Sequence, residues 1–541
     1  MRPRLSKGAV MNRPQRSLII LLAAALAAVL VACGQGTAPP NSVTKVTVSP
    51  ATLPLSVGGT GTLTATVTTN GTADLGVTWS SADAAIASVN ASGVVTGMAA
   101  GTTTITATSK HDTSKKGTAQ VTVAGGSTGE APFLWSVSFG SDENDRSSGV
   151  AVNSLGNVIL AGYTTGDLGG TNLGEEDGFV GSYTSDGTEI WLVQFGSSEE
   201  DTVHGVVVDA NDDIYVVGTT YGALEGSNGG QQDAFVRKYS ADGDVLWTDQ
   251  FGGGDSERGS TIAVDDDGNV YVGGSIAQST TTTGYVRKYL QAPDGLSVTE
   301  SWTTAVAGRV NGIAVSPDGS VGGVGVIRAG DRDQEAHVFM LDTDGDGVWK
   351  TELGSGLRTA PGAPRDEVPA TRRPLEAWEA LEGYVDSGTG VALDAAGNVF
   401  MSGWTGALPV TAGVGVEKTR PFVAKLTPDG TEEWAVLLDA DYHATAGSIT
   451  LDPDGDLVVT GSTLVVFGRT PTPPGTELLV WKLTPMGNVV WKDVFGTSGW
   501  DSQTDVAAAA DGSVYTTGHL YGELGQDNPD GTDAYLRKYG P

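Results

Sequence analysis

From Val43 onward, apolar and polar residues alternate in short bursts: Val46 and Val48, then Leu63, Ala65 and Val67, then Ile105 and Ala107, then Val121 and Val123. Successive side chains of a strand point to opposite sides of a sheet, so a period of two marks strands with one buried face. Gly-Gly, Asn-Gly and Ala-Gly turns separate the bursts. Residues 43–124 are therefore predicted to form a small antiparallel β-sandwich, with Trp79 as a core filler.

After a linker at 125–132 the alternation returns as a repeated unit. One mark is a turn, a strand and a glycine. It runs from Gly156-Asn157-Val158 to Gly162 and from Asp212-Asp213-Ile214 to Gly218, then ends at Gly274, Gly325, Gly403, Gly461 and Gly518. A second mark is a tryptophan opening another strand: Trp135, Trp191, Trp247, Trp302, Trp349, Trp434 and Trp491. Both marks occur seven times. The tryptophan spacings are 56, 56, 55, 47, 85 and 57, which gives a unit of about 56 residues with one large insertion at about 355–387.

Such a unit holds four strands, typified by 261–265, 269–273, 234–239 and 245–251. Seven four-stranded units over 133–541 predict an all-β chain in which a seven-bladed β-propeller follows the small sandwich. The region opens on a fourth strand, Phe133-Leu134-Trp135, and closes on a third strand, Asp533 to Tyr539, so its two ends are expected to complete one blade together. The first strands enter at Gly149, Gly205, Thr261, Gly312, Gly390, Ser448 and Asp505, mostly small residues, as crowding around an axis requires.

Two stretches carry a family resemblance. Val77-Thr78-Trp79-Ser80-Ser81, Ile86-Ala87-Ser88-Val89, Gly93 to Gly97 and Ala100 to Ala107 resemble the group 2 bacterial Ig-like domain over 43–124, a module that in its family occurs in surface proteins, often as a spacer. Asp233-Ala234-Phe235-Val236-Arg237-Lys238-Tyr239 and Asp267-Gly268-Asn269-Val270-Tyr271-Val272 resemble the bacterial seven-bladed β-propeller repeat, a likeness that weakens in the fourth to sixth units. That resemblance implies a fold and no reaction.

The head of the chain is an export signal. Arg2, Arg4, Lys7, Arg13 and Arg16 precede an apolar run from Leu18 to Val31, which is too short for a spanning helix. The run ends in Leu30-Val31-Ala32-Cys33, similar to the lipobox of bacterial lipoproteins, and Cys33 is the only cysteine. The resemblance implies a signal peptide at 1–32, acylation of Cys33, a tether at 33–42 and an anchor in the cell envelope, at the outer membrane or cell surface. A lone thiol cannot form an internal disulfide, which agrees with acylation.

Among 541 residues, 64 acidic side chains against 31 basic ones leave a net charge of -33, which excludes nucleic acid as a partner. Gly 78 and Pro 23 together fall short of the composition of a disordered chain. In a propeller of this topology the tight first-to-second and third-to-fourth turns share one face, while the longer second-to-third and blade-to-blade loops share the other. Variable loops on a rigid frame carry function, so the second face is the candidate.

Its blade-to-blade loops hold Asp142, Glu143 and Asp145, then Glu199, Glu200 and Asp201, then Asp255 and Glu257, then Asp439 and Asp441; these are expected to form an acidic rim. Trp404, Trp500 and, in the insertion, Trp378 could stack on sugar faces or anchor a peptide, or could plug the end of the core. The insertion, rich in Pro and Arg, reads as a lid or as a disordered loop.

The five histidines fall in different units with no zinc-ligand spacing, and no nucleophile elbow or phosphate loop appears in context. Asp342, Asp344 and Asp346 alternate as calcium ligands do, but position twelve is Leu353 where an EF-hand needs Glu, and the stretch aligns with an ordinary turn, the preferred reading. No other cofactor is expected. The composite reading is a lipid-anchored envelope protein, Ig-like spacer and propeller, presenting a non-catalytic binding face to a surface glycan or protein. A polysaccharide hydrolase or lyase using acids of the same face, or a purely structural protein, are the alternatives.

Overall fold

The computed structural model describes residues 41–541 apart from 57–59, 99–100, 125–128, 280, 329–333, 354–384, 407–418, 441–442, 464–474 and 522–530. Cys33, Trp378, Asp441 and nearly all of the insertion lie outside the described residues. Every regular element among the described residues is a β-strand, and the chain divides into two compact units, Met1–Ala124 and Gly125–Pro541.

In the first unit, Thr52–Ser56, Lys116–Ala124, Gly101–Ser109 and Val77–Ser81 form one sheet in that order; Thr60–Thr62, Val94–Gly97 and Ala87–Val89 form a second, and Ser42–Ser49 pairs with Thr64–Asn70. The alternating residues meet in a core of Leu63, Ala87, Val95, Ile105, Ala119, Val121 and Val123, against which Trp79 packs half-buried.

The second unit is a seven-bladed propeller. Blade 1 runs outward through Asp145–Val152, Val158–Thr164, Asp177–Tyr183 and Glu189–Phe195, all antiparallel. Blade 2 runs from Asp201–Val208 to Val245–Phe251, blade 3 from Ser256–Val264 to Val298–Ala307, and blade 4 from Arg309–Val315 to Gly347–Leu353. Blade 5 runs from Val385–Leu393 to Glu432–Leu437 and blade 6 from Ala444–Leu451 to Val489–Phe495; one parallel pair, Gln334 with Val385, links blades 4 and 5. Gly129–Glu130, read as linker, instead adds a short parallel edge to blade 6.

Blade 7 takes three strands from the C-terminal end, Ser502–Ala508, Val514–Tyr521 and Thr532–Tyr539, and its fourth, Phe133–Phe139, from the start of the unit. Each innermost strand contacts those of both neighbouring blades, so the seven close on themselves. The seam between the last blade and the first has its own core, in which Val150, Leu160 and Tyr183 meet Tyr515, Leu536 and Trp135. Side chains of this size contribute roughly 1.5–3 kcal/mol each when fully buried.

Both sequence marks have a packing cause. Every innermost strand shifts register by one residue, as between Ser147 and Gly149, and this bulge thrusts a carbonyl at the second strand. A Cβ on Gly162, Gly218 or Gly274 would lie 2.0, 2.1 or 2.0 Å from the carbonyl oxygen of Arg146, Thr202 or Arg258, so only glycine fits there. The tryptophans seal neighbouring blades. Trp135, Trp191, Trp302, Trp349 and Trp434 lie against Gly187, Gly243, Gly345, Gly430 and Gly487, the left-handed glycines in the third-to-fourth turn of the next blade. Trp191 and Trp302 also donate their indole N–H to that turn, to the Ala241 and Thr343 carbonyls at 3.1 Å.

Candidate functional site

The bulge changes where the rim acids stand. Pairing continues past it, so the innermost strands begin several residues earlier than expected, and Asp145, Asp201 and Glu257 lie inside them, not in loops. Asp145 and Asp201 are fully buried. Asp145 Oδ2 accepts from Ser141 N at 2.5 Å and Ser141 Oγ at 3.0 Å; Asp201 does the same with Ser197 at 2.5 and 2.7 Å, and Asp501 with Thr497. Burial pushes both Asp145 and Asp201 up, opposed by the hydroxyls of Thr164 and Thr220 and by the serine donors. These carboxylates organise the blade-to-blade turns. The exposed rim keeps Asp142, Glu143, Glu199 and Asp439, with Glu200 and Asp255 half-buried.

Glu175, Glu199, Glu200 and Tyr221 border a recess of about 210 Å³ between blades 1 and 2. Trp500 is 62% exposed, whereas Trp404 is half-buried within Val399–Gly406, paired with Ser387 and Pro421.

Asp342 lies on the opposite face. Its Oδ1 accepts from the amides of Asp344 and Asp346 at 3.0 and 2.9 Å, as Asp265 accepts from Asp267 and Asn269 in a first-to-second turn, and Gly345 seats Trp302. The alternating aspartates are thus explained by the turn, and among the described residues no group of three or more His, Cys, Asp or Glu is arranged to hold a metal ion.

The junction of blades 2 and 3 keeps the length of the blade-to-blade turn but changes its chemistry. Between blades 2 and 3 the serine is replaced by Gly253 within Gly252-Gly253-Gly254, and the capping aspartate by Glu257. The hydroxyl is lost and a recess of about 540 Å³ opens, lined by Asp233, Gln250, Phe251, Glu257, Tyr285 and Arg287 among others. The Gly253 amide still bonds the carboxylate, but Glu257 Oε2 is buried without a hydrogen-bond partner. Burial pushes the Glu257 carboxyl up, and the charges of Asp233 and Asp255 add to this.

Asp233 is held by Gly229 N at 2.9 Å and Gln250 Nε2 at 3.0 Å, and its Oδ1 is likewise buried and unpartnered. Arg287 lies over the Phe251 ring at 4.0 Å and pairs with Glu300 at 3.3 Å. Two carboxylates with spare acceptors, an amide, two rings and a guanidinium therefore converge on one concavity. The sequence named Asp255 and Glu257 here and missed Asp233, Gln250, Tyr285 and Arg287, which read as ordinary strand residues; the triple glycine was the available signal.

Residues 42–131 match the bacterial Ig-like domain (group 2), and residues 190–224 and 246–277 match the beta-propeller repeat. The chain therefore contains a stretch that matches the bacterial Ig-like domain (group 2), followed by stretches that match the beta-propeller repeat. It is similar to a 3-O-alpha-D-galactosyl-alpha-L-arabinofuranosidase of Bifidobacterium longum subsp. longum, 51% identical over 70 residues, 13% of this chain and 6% of that one. It is also similar to the regulatory protein FlaEY of Caulobacter vibrioides, 28% identical over 149 residues, 24% of this chain and 16% of that one. The chain thus spans a small fraction of the length of either relative. The solved structure of polysaccharide lyase Uly1 aligns over 73% of this chain and 89% of its own at 12% identity, with a TM-score of 0.42.

Proposed function

We propose that this is an exported envelope protein, lipid-anchored through Cys33 and spaced by its Ig-like domain, whose propeller binds a glycan without cleaving it. The observation that carries the reading is the recess between blades 2 and 3. It is the size of a small-ligand site, and its wall mixes apolar side chains such as Phe251 and Ile276 with the polar Asp233, Gln250 and Glu257, a mixture suited to a sugar.

The test gives this junction the serine of the turns before Asp145 and Asp201. Gly253 is not left-handed, and a Cβ there would meet only Glu257 Oε1 at 3.4 Å, so Gly253→Ser is sterically tolerated and supplies the hydroxyl that Ser197 gives Asp201. On a glycan array, the variant is expected to lose at least about tenfold in affinity for whatever the parent retains, the worth of one charged hydrogen bond. Equal retention by both would defeat the reading. The elevated Glu257 carboxyl beside Asp233 favours a second reading, hydrolysis or elimination; glycan chain cleavage abolished by Glu257→Gln would establish it instead.

A further inference from the structure

At the entry ends of the innermost strands, on the face of the longer loops, three arginines stand in a chain of strongly negative net charge. In every blade the residue just before the one paired with the repeat glycine is structurally equivalent, and in blades 1, 3 and 4 that residue is Arg146, Arg258 and Arg309. The other four blades place Thr202, Ser387, Thr445 and Ser502 there, all hydroxyl donors. These positions sit at the entry end of the innermost strands, which ring the axis.

Two of the three arginines touch polar neighbours, and Arg258 feels the charge of Arg309. Arg258 Nη2 lies 3.4 Å from His204 Nδ1 of blade 2, and Arg146 Nη1 donates to Tyr163 Oη at 3.3 Å. Arg258 is exposed at its residue surface, yet burial, then the like charge of Arg309, pull its pKa down, while Tyr163 and Tyr221 oppose this. Burial, then Arg258, push His204 down to about 3, and burial, then Arg146, push His519 down to about 4, so both imidazoles are neutral.

Several cations of the blades, Lys238, Arg287, Lys425, Lys482 and Arg537, form ion pairs. Among the described residues, none of the three entry-end arginines does, although acids outnumber bases two to one in the sequence. Glu176 feels Arg146, but burial, with Glu200, still pushes its carboxyl up. Guanidinium groups that, among the described residues, pair with no carboxylate and are ringed by hydroxyls and neutral imidazoles suit an oxyanion.

We propose that Arg146, Arg258 and Arg309 form an anion site at these strand ends that takes the carboxylate or sulfate group of an acidic glycan. Tyr163 and Trp404, at equivalent places on the second strands of blades 1 and 5, offer ring surface for the sugar. The glycan part rests on the reading above, whereas the anion site stands without it. At physiological salt the repulsion by the chain's net charge is screened within about 8 Å, so the local cluster governs.

The test titrates the full chain, and its Arg258→Gln/Arg309→Gln variant, with tetragalacturonate, its neutral galactose counterpart and inorganic sulfate, by calorimetry. Neither arginine has an ion pair to lose, so an unchanged melting curve verifies the fold. Tetragalacturonate is expected to bind the parent and to weaken at least about tenfold in the variant, the worth of a charge-assisted hydrogen bond. Sulfate binding lost to the same degree identifies free anions as a source; uronide binding without sulfate binding identifies the glycan. Absence of both, or uronide affinity unchanged in the double variant, overturns the site. Gly253→Ser leaves this anion binding intact if the two sites are separate, so failure of the recess is distinguishable from failure of the anion site.

Discussion

Replacing Arg537 by methionine should loosen the seam at which the ring closes. Arg537 sits in the last strand, between the strand borrowed from the start of the propeller and blade 6. Its guanidinium lies 3.8 Å from the Phe133 ring and 4.1 Å from the Phe495 ring, Nη2 meets Asp493 Oδ2 at 2.7 Å, and Nε donates to Tyr539 Oη at 2.9 Å. The arginine and aspartate side chains are only 10% and 19% exposed, so solvent screens the pair weakly.

Methionine keeps much of the volume. What is lost is a charged hydrogen-bonded pair, about 1.5–3 kcal/mol, and two cation–ring contacts, about 0.5–1 kcal/mol each, with Asp493 retaining the Tyr539 hydroxyl at 2.9 Å. The expected cost is about 3 kcal/mol. Hydrogen exchange reads it locally: the amides of Phe133–Phe139 should lose about a hundredfold in protection, and those of blades 2 to 4 far less. Asp493→Asn should cost less alone, and the double variant should show coupling of about 1–2 kcal/mol. Protection of Phe133–Phe139 changed less than twofold, or lost evenly around all seven blades, would refute the idea that this arginine clamps the seam.

Burial pushes Glu432, at the start of the outer strand of blade 5, up to about 7 from its ordinary 4.5. The folded chain then holds a proton that the unfolded chain releases, so stability should fall as pH rises from about 4.5 to 7 and level off above. Glu432→Gln should remove that part of the slope; equal differences between parent and variant in denaturant midpoint at pH 5 and pH 8 would contradict it. Cys33→Ser should release the protein from isolated membranes into the soluble fraction, and unchanged sedimentation with membranes would end the lipid-anchor proposal.

Much of the architecture was legible because it rests on local, repeated chemistry. A glycine demanded by a bulged carbonyl and a tryptophan seated on a turn glycine recur in every unit or nearly so, and both are visible as spacing. The phase of the ends, fourth strand first and third strand last, likewise predicted how blade 7 is completed. Strand beginnings were less legible. The bulge hides the continuation of each innermost strand, so Asp145 and Asp201 read as rim acids although they are buried caps.

The alternation of apolar residues, the turn glycines and the excess of carboxylates are properties of the chain itself, and they determined the sheets, the number of blades and the sign of the net charge. Only tertiary structure decided which charges meet. Arg146, Arg258 and Arg309 are more than a hundred and fifty positions apart at their extremes; they share a place in the repeat, before the residue paired with its glycine, but only ring closure sets those places around one axis. Glu257 differs from Asp201 by a single methylene in the sequence, but with Gly253 in place of Ser197 it loses the hydroxyl that Asp201 receives and lines an open recess. Spacing along a chain encodes each unit and its equivalent places; closing the ring decides which of those places face one another.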